Sequence, residues 1–96
     1  MYVRLVLFTL GPGERSTAEK IADEIVPAIR AQKGCNTCKF FTDDEVGEYG
    51  IVVLWDSKED ADAASSVISP RLKPALADIV KEPPSIRLYE VYEPKE

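Results

Sequence analysis

Apolar residues first gather between Tyr2 and Leu10, where Arg4 is the only charge. Alternation places Val3, Leu5 and Leu7 on one face of a strand and Val6 and Phe8 on the other. Gly11-Pro12-Gly13 stops that strand. Ser16-Thr17-Ala18-Glu19 then has the S-x-x-E form of a capping box, which predicts a helix start. Behind it Ala18, Ile21, Ala22, Ile25, Val26 and Ile29 recur at spacings of three and four, one apolar stripe on a helix. Pro27 cannot donate back to Asp23, so a kink is expected there, and Gly34 is placed to end the helix.

Cys38 to Thr42 reads as a second strand, followed by the polar turn Asp43-Asp44-Glu45-Val46-Gly47. Glu48 to Trp55 is a third strand, apolar on both faces. Ser57-Lys58-Glu59-Asp60 is a second cap. The helix behind it carries Ala61, Ala64, Ser65 and Ile68 inward, is expected to break at Ser69-Pro70, and restarts with Leu72, Ala75, Leu76, Ile79 and Val80. Pro74 limits the regularity of that second piece. Its small residues Ala63-Ala64-Ser65-Ser66 either let the helix pack closely on a sheet or leave room for a ligand, and close packing is the expectation. Glu82-Pro83-Pro84-Ser85 is a loop, Ile86 to Tyr92 a fourth strand, and Pro94-Lys95-Glu96 a tail.

The order β-α-β-β-α-β predicts an α+β fold of the ferredoxin-like type, a four-stranded antiparallel sheet with both helices on one face. Residues 1–96 form a single domain of this kind, with no repeat and no low-complexity segment. Two helices cover one side of the sheet, yet the first and third strands are apolar on both. The uncovered face is therefore expected to meet a second copy of the sheet in a homodimer.

Composition narrows the function. The 96 residues carry a net charge of −5 with no run of Lys or Arg, which argues against nucleic acid as a partner. Histidine is absent, which removes the commonest general base and metal ligand. No apolar run reaches the ~18 residues of a membrane helix, and MYVRLVLFTL is too short and strand-like for a secretory signal, so the expected home is the cytoplasm. Asp43, Asp44 and Glu45 are spaced too irregularly for a calcium loop.

The only cysteines lie in KGCNTCKFF as a C-x-x-C pair, Cys35 and Cys38. Gly34 puts Cys35 at a helix exit, whereas redox dithiols use a helix N-terminus to lower the thiol pKa. Zinc needs two further ligands that one chain lacks, so a Cys₄ site would take two protomers. An extended Cys35–Cys38 segment spans about 10 Å, too far for a disulfide, while a turn at Asn36-Thr37 brings the pair within reach. Structural cysteines are the expectation, with no metal site and no cofactor.

At the level of whole segments, the chain resembles the dimeric α/β-barrel superfamily and, within it, the antibiotic-biosynthesis-monooxygenase-like domains. The resemblance spans nearly the whole chain. It rests on the strand VRLVLFTL, on the Gly of QKGC leading into a strand, and on IVVLWDSKEDADAA, where a tryptophan ends a strand and a capped acidic helix follows. It implies a sheet-to-sheet dimer with a ligand cavity between sheet and helices. Members of such families include haem-degrading enzymes that hold iron with a histidine, a role this chain cannot fill. They also include cofactor-independent oxygenases of aromatic polyketides, which use Asn, Trp, Tyr and Arg side chains on a substrate anion. The resemblance thus implies a binder of apolar or aromatic small molecules, acting as a cofactor-independent monooxygenase on an aromatic or polyketide-like substrate. The alternative is a non-catalytic ligand-sensing or interaction module.

Trp55 matches the family's strand-end tryptophan. The other candidate ligand-binding residues are Asn36, Arg4, Tyr49, Tyr89 and Arg71. Each has a plainer explanation: core packing for Trp55 and the tyrosines, a turn for Asn36, and solvated charge for Arg4, Arg71 and also Arg87. No catalytic residue is assigned.

Overall fold

The structure, a computed structural model, describes residues 1–80 and 82–95. Its elements are β1 (Tyr2–Thr9), α1 (Arg15–Arg30), β2 (Cys35–Asp43), β3 (Glu48–Trp55), α2 (Lys58–Ala77) and β4 (Ser85–Glu90). The strands form one antiparallel sheet in the order β2-β3-β1-β4, the ferredoxin-like arrangement. Tyr2 pairs with Trp55 and Thr9 with Glu48 across β1 and β3. On the other edge Leu7 pairs with Ser85 and Tyr2 with Glu90.

Registry and alternation assign the two faces. On the helix side, β1 offers Val6 and Phe8, and β3 offers Tyr49, Ile51, Val53 and Trp55, all buried. Cys38 and Phe40 of β2 join them. Helix α1 covers this layer with Ala18, Ile21, Ile25, Val26 and Ile29, and α2 with Ala61, Ala64, Ile68, Leu72 and Leu76. The opposite face carries Val3, Leu5, Leu7, Val52 and Leu54, partly exposed in the single chain, with Phe41 and Tyr89 exposed beside them. Among the described residues, no helix is long and apolar enough to cross a membrane.

Several local expectations are corrected. The α1 capping box does not form, because the helix starts at Arg15 with Glu14 as its N-cap and Ser16 lies inside it. Thr17 Oγ1 donates to the Glu14 carboxylate at 3.1 Å, and Arg15 pairs with Glu19 at 2.9 Å and with Asp44 at 2.7 Å. The cap of α2 does form: Ser57 Oγ accepts from the Asp60 N–H at 3.1 Å. That helix then runs unbroken through Ser69-Pro70 and Pro74. In α2, burial of Ile68, Leu72 and Leu76 holds the inner face in register, while the prolines and the carbonyls they leave without donors lie on the wet side.

Strand β2 begins at Cys35, three residues earlier than expected, and Asn36 is an unpaired bulge within it rather than part of a turn. Gly34, at φ +83°, turns the chain into β2, and its carbonyl accepts from Asp56 N at 2.8 Å. Strand β4 takes in Ser85 and stops at Glu90, leaving Val91 and Tyr92 outside it. Glu96, the last residue of the expected tail, lies outside the described residues.

Candidate functional site

Helix α2 stands over β1 and β3 on small residues, and the layer beneath it is not filled. A pocket of about 50 Å³ is lined by Val6, Ile51, Val53 and Trp55 of the sheet and by Ala61, Ala64, Ser65, Ile68, Ser69 and Leu72 of α2. Ile29 and Ile86 complete the lining and Arg4 reaches it from β1. Close packing by the small residues of α2 is thus incomplete: Ala64 and Ser65 border the pocket, while Ala63 and Ser66 face solvent.

Nearly all of this lining is hydrocarbon, and its few polar groups are specific in kind. Trp55 is 3 % exposed, and its indole Nε1–H has no hydrogen-bond partner among the described residues. A buried donor left without an acceptor costs about 1–3 kcal/mol, so the position favours an acceptor brought by a ligand. Arg4 lies on the rung of Val53 and Leu88, on the helix side of the sheet. Its Nη2 is 3.5 Å from the Ala61 carbonyl and 3.6 Å from the exposed Asp62 carboxylate. These are loose contacts that leave the guanidinium able to meet an anion. Ser65 and Ser69 place their hydroxyls 3.3 Å apart at the same wall. Among the described residues no carboxylate lines the pocket, and the chain has no histidine.

Two of the six candidate residues, Trp55 and Arg4, therefore meet at one pocket. The other four lie elsewhere. Asn36 is exposed on the bulge and its amide donates to the Asp56 carboxylate. Tyr49 is wholly buried on the α1 side, its ring stacked on Phe40 at 6.3 Å and its hydroxyl without a partner among the described residues. Burial pushes that hydroxyl's pKa up. Tyr89 lies on the uncovered sheet face opposite Val3. Arg71 is exposed on α2, away from the pocket. The sequence places Ser65 on the inner stripe of α2 as a packing residue, whereas Ser69 and Ile86 are not among the sequence candidates for the site. The i,i+4 spacing of Ser69 from Ser65, on the edge of an apolar stripe, was a legible signal for Ser69.

A second depression, about 270 Å³, is lined by Arg30 and residues 35–39, including both free cysteines. The bulge turns Cys35 and Cys38 toward the same side of β2. Burial pushes Cys38 up to about 11, helped by neighbouring Cys35 and opposed by Arg30. Burial also raises Cys35. Such thiols stay protonated at neutral pH and are poor nucleophiles and poor metal ligands. Among the described residues, no three His, Cys, Asp or Glu side chains cluster for a metal.

Comparison with known proteins gives a consistent result. The family model described as antibiotic biosynthesis monooxygenase matches residues 1–66. A Deinococcus radiodurans protein carrying that family's label superposes with a TM-score of 0.85 at 18 % identity, over 100 % of this chain and 97 % of its own. A monooxygenase of Streptomyces coelicolor, solved with nanaomycin D, superposes with a TM-score of 0.77 at 18 % identity, over 99 % of this chain and 90 % of its own. A Mycobacterium tuberculosis protein does so with a TM-score of 0.76 at 17 % identity, over 99 % and 98 %. At these identities the likeness is one of fold. None of the curated proteins matches the chain.

Proposed function

The chain belongs to the antibiotic biosynthesis monooxygenase family, and we propose that it binds an aromatic, polyketide-like small molecule beneath α2 and oxidises it with O₂ without a cofactor. One observation carries this proposal: an apolar pocket in which the unpartnered Trp55 Nε1–H and the loosely held Arg4 guanidinium are the groups fit to receive an acidic oxygen. The nanaomycin D complex of the Streptomyces coelicolor protein supports the ligand class.

The site's chemistry limits the substrate. Among the described residues the lining offers no carboxylate or histidine as a base, which fits a substrate that ionises readily by itself, such as a hydroxylated aromatic or an aryl ketone with an acidic ring C–H. Arg4 and Trp55 then lower the pKa of the bound molecule by stabilising its oxyanion. The resulting electron-rich carbon reduces O₂, takes up one oxygen atom as a carbonyl, and releases the other as water. Ring and substrate carbon supply all four electrons, so no external reductant is needed when a ring CH₂ becomes C=O.

A second proposal concerns assembly. The uncovered face of Val3, Leu5, Leu7, Phe41, Val52 and Leu54 supports a homodimer joined through the sheets. The rival function is a non-catalytic ligand-sensing or interaction module that uses the same apolar pocket for binding alone.

Oxygen uptake with anthrone separates the two functions. Catalysis predicts O₂ consumption with anthraquinone as product, lowered about tenfold or more in Arg4→Gln and in Trp55→Phe. Anthrone that quenches Trp55 emission but consumes no O₂ above the buffer rate would leave only the sensing module.

A further inference from the structure

Ile86 borders two cavities at once. One is the pocket at Trp55 and Arg4; the other, an open depression of about 270 Å³, lies between the end of α2 and β4 and is lined by Lys73, Leu76, Ala77, Val80 and Pro84. In the sheet, Ile86 sits on one rung with Val6 and Ile51, both of which floor the first pocket. It points to the helix side, yet it is 41 % exposed. The reason lies in the layer above: α1 packs mainly on β2 and α2 on β1 and β3, so the helix-side face of β4 is only partly covered, with Leu88 against the core and Ile86 open. The floor of the pocket therefore continues outward across Ile86 into the second cavity.

The first pocket, at about 50 Å³, takes the acidic head of a ligand but not its whole body. Joined to the second it reaches the lower end of the roughly 300–1,000 Å³ of small-molecule sites. We infer that the two form one elongated binding groove. Its ligand is a long, mainly apolar molecule with its acidic oxygen at Arg4 and Trp55 and its body running over Ile86 to Val80 and Pro84. Ile86 is then the residue that sets ligand length. This inference rests on the small-molecule site proposed above and specifies its ligand's shape.

Phenylacetate and 8-phenyloctanoate share an acidic head and differ in reach. Trp55, the single tryptophan, reports on both when excited at the red edge of indole absorption, where the phenyl groups are transparent. Ile86→Phe should weaken the long acid about tenfold or more, and Ile86→Ala should tighten it roughly threefold, while phenylacetate changes less than about twofold in either. Because Ile86 is exposed, both variants should keep the wild-type circular dichroism spectrum. Equal shifts for the two acids, or none for either, would overturn the groove while leaving the inner site in place. If neither acid alters Trp55 emission in the wild type, the inner site fails and the groove fails with it. Arg4→Gln should weaken both acids alike, which marks the head site as distinct from the length-setting residue.

Discussion

Side chains that look alike in sequence are separated by burial and by partners. Trp55 and Tyr49 both keep a buried polar atom without a partner among the described residues, but only Trp55 faces the pocket. Tyr49→Phe removes a donor that gains nothing from the fold. It should leave ligand binding unchanged and leave stability unchanged or raised by up to about 1 kcal/mol, read as a thermal midpoint. A clear loss of stability would mean that the hydroxyl has an acceptor. Cys38 gives a pH signature. Its thiol holds its proton up to about pH 11 in the fold, above the ordinary thiol range near 9.0, so the native state binds that proton more tightly than the unfolded chain. The associated stability is present below about pH 9 and is lost between there and about pH 11, a change on the order of 2 kcal/mol. Denaturant midpoints across that window should fall more steeply in the wild type than in Cys38→Ala.

Among the elements, α2 departs most from helix rules. Pro70 and Pro74 deprive the Ser66 and Pro70 carbonyls of their intrahelical donors, and both rings lie on the exposed side. Replacing Pro74 by Ala restores one donor without touching the core. The change should raise stability by about 1–3 kcal/mol, visible as a higher thermal midpoint; a lower one would show that proline's constraint on the unfolded chain outweighs the lost bond. At the other end of the fold, Gly47 joins the β2–β3 turn to β1. Its carbonyl accepts from Leu10 N at 2.9 Å and Gly11 N at 3.3 Å, and it stands at φ +73°. A Cβ at this position would run into the Gly11 backbone, which explains why a glycine ends the acidic turn.

For the whole molecule, the uncovered sheet face is the dominant feature. Val52 lies on that face, paired with Leu5 on one side and Lys39 on the other, whereas Val53 is buried beneath the helices. The two positions therefore predict different failures. Val52→Asp should yield a folded chain whose light-scattering mass falls to that of one copy, because a charge is unwelcome in an apolar interface but tolerable in water. Val53→Asp should prevent folding, because it leaves an unpaired charge in the core. In the wild type, the thermal midpoint should rise with protein concentration. A monomeric mass at micromolar concentration, with a native circular dichroism spectrum, would defeat the dimer.

The order of the six elements, the inner stripe of α1, the Ser57 cap and the presence of apolar residues on both faces of β1 and β3 were all legible in the chain. Each follows from local periodicity or capping chemistry, which neighbours in sequence determine. Trp55 was visible as a strand end followed at once by a capped helix. Other features depended on contacts between segments far apart. Alternation along β3 separates Val52 from Val53 but cannot say which of them the helices cover, because both sets are apolar. The Asn36 bulge arises from how β2 is held against β3, and local propensity read the same residues as a turn. The continuity of α2 through two prolines comes from burial of Ile68, Leu72 and Leu76 on the sheet, a tertiary gain that exceeds the local penalty. Arg4, Trp55 and Ile86 come from three different strands. Only the registry of the β2-β3-β1-β4 sheet, with α2 laid across it, brings them to one pocket.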